Sequence, residues 1–365
     1  MKKVLMVAGR MNRGGLEAML MGFFRNVDRE KVTFDFMVNY EEEGFYDREI
    51  KALGGKIYIM PRLNPKNIFR YVSGLNRFFK EHKGEYDVVH GHLTSVGILY
   101  LTIAKWHGVK TTAIHAHYTD TVGNHYALLE RLMLLPLRFC TDYFFACSDK
   151  AAKFCYGKNI VTKPNYKLIK NGVDIDKYKF NSDLRMKKRQ ELGIAEKYTI
   201  LNVGRFETQK NHVFLMQIMK ELHEKEKDAV LILVGSGSLE EKIKALAKDY
   251  GLDEYVLFTG DRSDVNELLL AADVFVLPSL FEGLPVVGIE AQTSGIPCLF
   301  SDTVTTEIDI TGNCKFLPID DSDKWVKTIL KDKNIQRTDT SQLVQSAGYD
   351  IKEQAKWLED FYLKA

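Results

Sequence analysis

Short apolar, β-branched runs alternate along the chain with longer stretches whose apolar residues recur at helical spacing. That alternation is the pattern of parallel strands joined by crossover helices. Buried strands are expected at 4–8, 32–38, 56–60, 87–91, 111–115, 143–146 and 168–170. A second series is expected at 199–203, 229–234, 256–259, 274–277, 297–300 and 314–317. Two such series predict an α/β protein built from two tandem Rossmann-like, doubly wound parallel sheets. The junction falls at Asn171-Gly172-Val173-Asp174, because an Asn-Gly pair tolerates the positive φ of a turn. The next helical pattern is expected near 187–193. Domains are therefore placed at 1–172 and 173–345. A C-terminal helix within 346–365, offering Trp357, Leu358, Phe361 and Tyr362 for packing, is expected to cross back to the first domain.

Length agrees with this division, since 365 residues at 45% hydrophobic content suit two cores of about 150 residues each. The net charge of +2 points to neither nucleic acid nor a membrane, so any such preference must come from local clusters. Five cysteines, Cys140, Cys147, Cys155, Cys298 and Cys314, have no CxxC spacing. An odd set of this kind argues against a disulfide framework or a zinc site and fits a reducing compartment. The five apolar residues from Val4 to Ala8 are too few for a signal-peptide core. The run from Ile98 to Ala104 is far short of the roughly 18 residues that would span a bilayer.

Candidate chemistry lies after the strands, where open parallel sheets bind ligands and helix N-termini favour anions. The loop Gly9 to Gly15 follows the first strand, and its Gly14-Gly15 pair would let the backbone approach a phosphate; a plain strand-to-helix turn explains it equally well. Gly204-Arg205 and Lys210 follow the first strand of the second series. A lysine at a helix start conflicts with the helix dipole unless an anion is bound. Arg205 by its planar fork and Lys210 as a point charge can clamp a diphosphate, although an exposed surface lysine remains the other reading. Gly235 and Gly237 end the next strand, where they allow ligand approach or a tight turn.

The segment Pro278-Ser-Leu-Phe-Glu-Gly-Leu-Pro285 leads into Glu290. Pro285 suits a first helical position, which leaves Glu282 in a loop and Glu290 about 7.5 Å further along a helix. The two acids then address separate points of an extended ligand rather than one another. Gly283 and Leu284 would offer backbone amides between them. Each acid alone also fits an exposed or cap-proximal role.

Taken together, these residues resemble the retaining sugar-nucleotide glycosyltransferases of family 4, with two Rossmann-like domains facing a cleft in the GT-B arrangement. The resemblance spans essentially the whole chain. It rests on Gly14-Gly15, His115 after a central strand, Asn171-Gly172-Val173-Asp174, Gly204-Arg205 with Lys210, and the Glu282-x7-Glu290 motif. It implies that Arg205 and Lys210 neutralise the donor diphosphate, Glu290 bonds the ribose hydroxyls and Glu282 contacts the transferred sugar. His115 would contact that sugar from the first domain, with His117 as a second candidate; a structural hydrogen-bonding role is the other reading of both. Gly204, Gly235, Gly283 and Leu284 would line the donor site, and the Gly14-Gly15 loop would close over the donor phosphate or the acceptor. Asn171 and Arg262 are secondary candidates. The resemblance implies no metal and no cofactor, the nucleoside-diphosphate sugar being a co-substrate. Asp174-Ile-Asp176 is formally a DxD but belongs to the junction.

On the acceptor side, the stretch 66–83 places Ile68, Val72, Leu75 and Phe79 on one helical face and Lys66, Arg70, Arg77 and Lys80 on the opposite one. Residues 150–189 carry twelve Lys/Arg against three Asp. Such basic surfaces can dock on anionic lipid or can simply be solvated. Relatives that build capsule, exopolysaccharide or O-antigen use polyprenyl-diphosphate-linked acceptors at the cytoplasmic face of the membrane. The resemblance therefore implies a cytoplasmic or peripheral hexosyltransferase acting on a saccharide or lipid-linked saccharide, with UDP-sugar as the expected donor and no nucleic-acid partner. A nucleotide-sugar epimerase and a catalytically silent nucleotide-sugar-binding module are the competing readings.

Overall fold

The computed structural model describes residues 1–117 and 132–365. The chain divides into two compact units, Met1–Gly172 with Gly348–Ala365, and Val173–Ala347. In the first unit the strands are β1 (Lys2–Val7), β2 (Val32–Val38), β3 (Ile57–Ile59), β4 (Val88–Gly91), β5 (Thr111–Ala116), β6 (Tyr143–Ala146) and β7 (Tyr166–Leu168). They form one sheet in the order β3-β2-β1-β4-β5-β6-β7. In the second unit β8 (Tyr198–Val203), β9 (Ala229–Val234), β10 (Val256–Phe258), β11 (Val274–Leu277), β12 (Cys298–Ser301) and β13 (Cys314–Leu317) are ordered β10-β9-β8-β11-β12-β13. Every pairing is parallel.

Both orders reverse direction beside their first strand, between β1 and β4 and between β8 and β11. The connections leave in opposite directions at that point, which opens a crevice beyond the carboxyl ends of the strands. Strands covered by helices on both faces read as continuous apolar runs. β9, Ala-Val-Leu-Ile-Leu-Val, is buried at every position.

The helix Ile351–Lys364 belongs to the first unit and packs on the helix Gly15–Asn26. Ile351, Ala355, Leu358 and Tyr362 enter the same core as Phe23, Phe24 and Phe34. Gly22 makes that approach possible, since a Cβ there would lie 2.6 Å from Ile351 Cγ1.

Several local expectations are revised. β7 lies two residues earlier than the apolar pattern suggests. The helix expected near 187–193 is Ser182–Glu191, started by Asn181, whose side chain accepts from the amides of Asp183 and Leu184. That cap is worth about 1 kcal/mol. Asn171-Gly172 does not use positive φ; Asn211 is the non-glycine residue that does, among the described residues. Gly172 is small for a different reason, because a Cβ there would meet the backbone of Ile351 at 3.0 Å. Pro285 stands one position before the helix Val286–Thr293, with ψ 114°.

The amphipathic helix runs over Ile68–Glu81, and its buried residues are Tyr71, Leu75, Phe78 and Phe79. The inward stripe is thus turned relative to the expected face. Ile68 is 41% and Phe69 90% exposed, while Arg70, Arg77 and Lys80 face solvent as expected.

Candidate active site

Both loops that border the crevice of the second unit carry expected site residues. After β8 the chain passes Gly204 and Arg205, makes a short 3-10 turn at Thr208–Lys210, and enters the helix His212–Lys225 through Asn211 in the left-handed conformation. After β11 it continues through Ser279 to Pro285 into Val286–Thr293. β8 and β11 are hydrogen-bonded neighbours, so their loops meet although about 70 residues separate them.

The meeting point is an ion pair. Lys210 Nζ lies 2.5 Å from Glu282 Oε1, with side-chain exposures of 14% and 9%. Ser279 Oγ donates to the same oxygen at 2.8 Å, and Gln209 Nε2 approaches Oε2 at 3.3 Å. The backbones also join, Leu280 N donating to Gln209 O at 2.8 Å. Ser301 Oγ and Thr303 Oγ1 both donate to the Ser279 carbonyl, at 2.5 and 2.8 Å. Glu282 is therefore held before any ligand arrives. A partly buried pair of this kind is costly to break on one side, at about 3 to 5 kcal/mol.

Around the pair the backbone is stripped of side chains. Gly235 has φ +133°, and a Cβ there would fall 2.2 Å from Gly204 O. A Cβ at Gly237 would meet the backbone of Phe206 at 2.6 Å. Gly283 faces open space. The N–H groups of Gly283 and Leu284 donate to no protein atom among the described residues. Arg205 is exposed, and its guanidinium makes no ion pair among them. An exposed cation outside any ion pair among the described residues, together with two unengaged amides, is what an anion needs.

Glu290 lies in the helix Val286–Thr293, where Tyr178 Oη donates to its Oε1 at 2.7 Å. Burial raises its pKa, against the lowering influence of that hydrogen bond. With Oε1 engaged, Oε2 is left to accept from a ligand hydroxyl. The acids thus have separate partners, Lys210 for Glu282 and Tyr178 for Glu290. Arg262 forms a two-point pair with Asp264, Nε to Oδ1 at 2.8 Å and Nη2 to Oδ2 at 2.7 Å. Its guanidinium is engaged by that carboxylate. Asp174 caps the short helix Ile175–Tyr178 by accepting from Lys177 N.

Tyr178, Ser279 and Gln209 escaped the sequence reading. Tyr178 comes from a four-residue helix just past the junction, and nothing in the local pattern connects it to Glu290 112 residues later.

In the first unit, β4 and β5 bring four histidines together at the same end of the sheet. His90 and His115 stack at 5.7 Å between ring centroids, His115 and His117 at 4.2 Å. His92 Nδ1 lies 3.0 Å from His117 Nε2, and Tyr362 Oη bonds His90 Nδ1 at 2.6 Å. His115 is 0% exposed, and its ring nitrogens have no hydrogen-bond partner among the described residues. His117 is partly exposed. Burial, aided by the neighbouring imidazoles, holds His90, His92 and His115 well below the ordinary histidine pKa. Burial alone lowers His117 to about 3. All four rings are neutral at pH 7. His90, His92 and His115 form the one group among the described residues with three side chains close enough to share a metal ion.

Gly14 precedes the helix Gly15–Asn26 in extended conformation, and a Cβ on it would clash with Glu17 Oε2 at 2.3 Å. Gly14 and Gly15 are exposed after β1, across the crevice mouth from β4. Asn171 holds a buried Oδ1 without a hydrogen-bond partner among the described residues.

Residues 185–336 match the family described as Glycosyl transferases group 1, and residues 13–177 match Glycosyltransferase Family 4. The UDP-Gal:alpha-D-GlcNAc-diphosphoundecaprenol alpha-1,3-galactosyltransferase of Escherichia coli is 30% identical over 60% of this chain and 59% of its own length. Anabaena HepE, solved in complex with UDP, superposes over 100% of both chains with a TM-score of 0.78 at 15% identity, which shows the GT-B fold. EpsF of Bacillus subtilis, a glycosyltransferase by name, is 35% identical over 315 residues, 84% of this chain and 81% of that one. Identity at that level along so much of both chains carries the assignment, and this protein belongs to glycosyltransferase family 4, with a group 1 module as its second half.

Proposed function

We propose that the protein is a retaining glycosyltransferase that moves a hexose or N-acetylhexosamine from a nucleoside-diphosphate sugar to a lipid-diphosphate-linked saccharide. A UDP-sugar is the donor, and the pathway makes exopolysaccharide, capsule or O-antigen. The carrying observation is the Lys210–Glu282 pair at the switch point, beside the exposed Arg205 and the side-chain-free backbone at Gly204, Gly235 and Gly283. The names of EpsF, the galactosyltransferase acting on a diphosphoundecaprenol substrate, and the UDP complex of HepE support the class of donor and acceptor.

In this reading the diphosphate enters between Arg205, Lys210 and the amides of Gly283 and Leu284. The bond from the anomeric carbon to the leaving phosphate oxygen breaks as the acceptor hydroxyl bonds to the same face and passes its proton to that departing phosphate oxygen. Positive charge grows at the sugar and negative charge on the diphosphate. Cations already in place stabilise that separation more than the ground state, and two of them supply the charge without a metal. Lys210 exchanges part of its contact with Glu282 for the phosphate, freeing the carboxylate for a sugar hydroxyl. Glu290, oriented by Tyr178, accepts from the ribose. Of the two histidines, His117 presents surface to a substrate, and His115 acts through it by packing. The enzyme works at the cytoplasmic face of the membrane, where its lipid-linked acceptor is found.

A transfer assay with UDP-sugars and an undecaprenyl-diphosphate-linked saccharide tests this, with the anomeric configuration of product read by NMR and EDTA present. Product of inverted configuration, EDTA-sensitive turnover, or donor turnover that needs no acceptor would each count against it.

A further inference from the structure

From the carboxyl end of β3, the edge strand of the first sheet, the chain passes through the segment 60–67 and enters the helix Ile68–Glu81. The start of that helix therefore lies at the end of the sheet where the crevice opens, and the helix runs back along the flank of the unit to reach the next parallel strand. At 3.6 residues per turn Phe69, Arg70, Ser73, Arg77 and Lys80 fall opposite the buried stripe of Tyr71, Leu75, Phe78 and Phe79. All five are exposed.

From residue 62 to residue 83 there are six Lys/Arg against one acid, Glu81. Arg62, Lys66, Arg70, Arg77, Lys80 and Lys83 are all exposed, and none forms an ion pair among the described residues. Nearby Glu85 is already engaged by Lys3, Lys56 and His82. Cations elsewhere in the unit hold the fold, Arg25 with Glu49 and Lys105 with Asp142. The loop after β2 carries Glu41, Glu42 and Glu43, and Arg10 and Arg48 answer the last two.

Apolar side chains project from the same end. Phe69 is 90% exposed, Ile68 41%, and Ile59, the last residue of β3, 53%. Tyr40, two residues past β2, is also exposed and accepts from Arg62 Nη1 at 3.3 Å. Single exposed apolar residues are ordinary on a protein surface. Here they are grouped by the fold with cations that no carboxylate neutralises.

Protruding apolar groups set among unpaired cations match the surface of an anionic bilayer, where rings enter the acyl boundary and cations stay with the phosphates. Duplex nucleic acid would use the cations and leave Ile59, Ile68 and Phe69 in water. A small soluble anion is held in a recess, whereas these side chains stand out. We propose that the helix Ile68–Glu81 and the loop before it dock the first unit on an anionic membrane, with Ile68 and Phe69 in the interface and the outward cations on lipid phosphates. The inference rests on the lipid-linked acceptor proposed above and names the surface that meets the membrane. Docking there sets the crevice end of the first unit beside the headgroups from which such an acceptor projects.

Flotation of the full chain with vesicles of mixed phosphatidylglycerol and phosphatidylcholine, free of donor and acceptor, tests the surface. The wild type floats with them at low salt, and pure phosphatidylcholine vesicles bind it at least tenfold more weakly. Arg70→Glu with Arg77→Glu, and separately Phe69→Ser, each weaken binding at least tenfold. Lys242→Glu with Lys248→Glu, the same change of charge at exposed positions of the second unit, weakens it less than twofold. Unchanged melting temperatures and unchanged UDP affinity show that the variants keep the fold. Phe69→Trp gives an emission that shifts to the blue on vesicles, relative to wild type, and is quenched by brominated lipid. Wild type that stays in the aqueous phase at low salt, equal flotation of wild type and helix variants, or an unshifted emission in Phe69→Trp overturns the proposal. So does duplex DNA bound as tightly as the vesicles and lost in the same variants, which would make the face a nucleic-acid contact. Absence of glycosyl transfer with flotation retained would instead overturn the proposed function and leave the docking surface standing.

Discussion

Lys210 and Glu282 form a partly buried ion pair at 2.5 Å across two loops that only the order of strands brings together. The pair neutralises both groups until a ligand with its own negative charge competes for the lysine.

Lys210→Ala removes the cation and leaves Glu282 with its bonds from Ser279 and Gln209. UDP should no longer raise the melting temperature, and kcat should fall roughly 100- to 1000-fold, the cost of deleting one preorganised charge partner. The apoprotein should also lose stability, and Lys210→Ala with Glu282→Ala should recover part of that loss because no carboxylate is then stranded. UDP stabilisation equal to wild type in Lys210→Ala would remove the diphosphate role.

Glycine at 235 is required by both φ +133° and the 2.2 Å approach to Gly204 O, whereas Gly283 has open space around it. Gly235→Ala should cost at least about 2 kcal/mol in urea denaturation. Gly283→Ala should stay within about 0.5 kcal/mol of wild type. Equal stability of the two variants would mean that the loops after β8 and β9 rearrange freely.

If Glu290 reads the ribose, its contribution should depend on the hydroxyls. Wild type should bind UDP roughly 10- to 100-fold more tightly than 2′,3′-dideoxy-UDP, the worth of a hydrogen bond to a charged group. Glu290→Gln should reduce that ratio several-fold. Tyr178→Phe should reduce it less, since the tyrosine only orients the carboxylate through its 2.7 Å bond. A ratio unchanged in Glu290→Gln would place the ribose elsewhere.

The histidines of β4 and β5 give a pH signature of stability. Burial lowers the pKa of His90, His92, His115 and His117, the last to about 3. Below the unfolded value of about 6.5 the unfolded chain takes up protons that the folded state refuses. The unfolded state then binds more protons, so stability falls as pH drops from 6.5 toward the folded values. Denaturant midpoints at pH 7.5, 6.5 and 5.5 should decline, and His115→Phe, which has no proton to gain, should flatten the slope. A midpoint that rises on acidification would contradict the neutral quartet.

What the sequence by itself determined is local. Among the described residues thirteen strands appear at or within two residues of the apolar runs that announce them, because strands buried on both faces need continuous apolar residues. Gly204, Arg205, Lys210 and Glu282 were legible for a similar reason: loop position follows from the strand that precedes it. The helix Ile68–Glu81 was legible as a helix but not in its exact facing, since Tyr71 buries more effectively than Ile68 and turns the stripe inward. What only the tertiary structure decided depends on neighbours far apart in the chain. Sheet order set Lys210 against Glu282, and a four-residue helix brought Tyr178 to Glu290. Packing against four aromatic and imidazole rings withdrew His115 from solvent and left His117 beside it with some surface. Long-range pairs of this sort leave no periodicity to read, because burial and charge compensation are properties of the folded surroundings and not of the residues one by one.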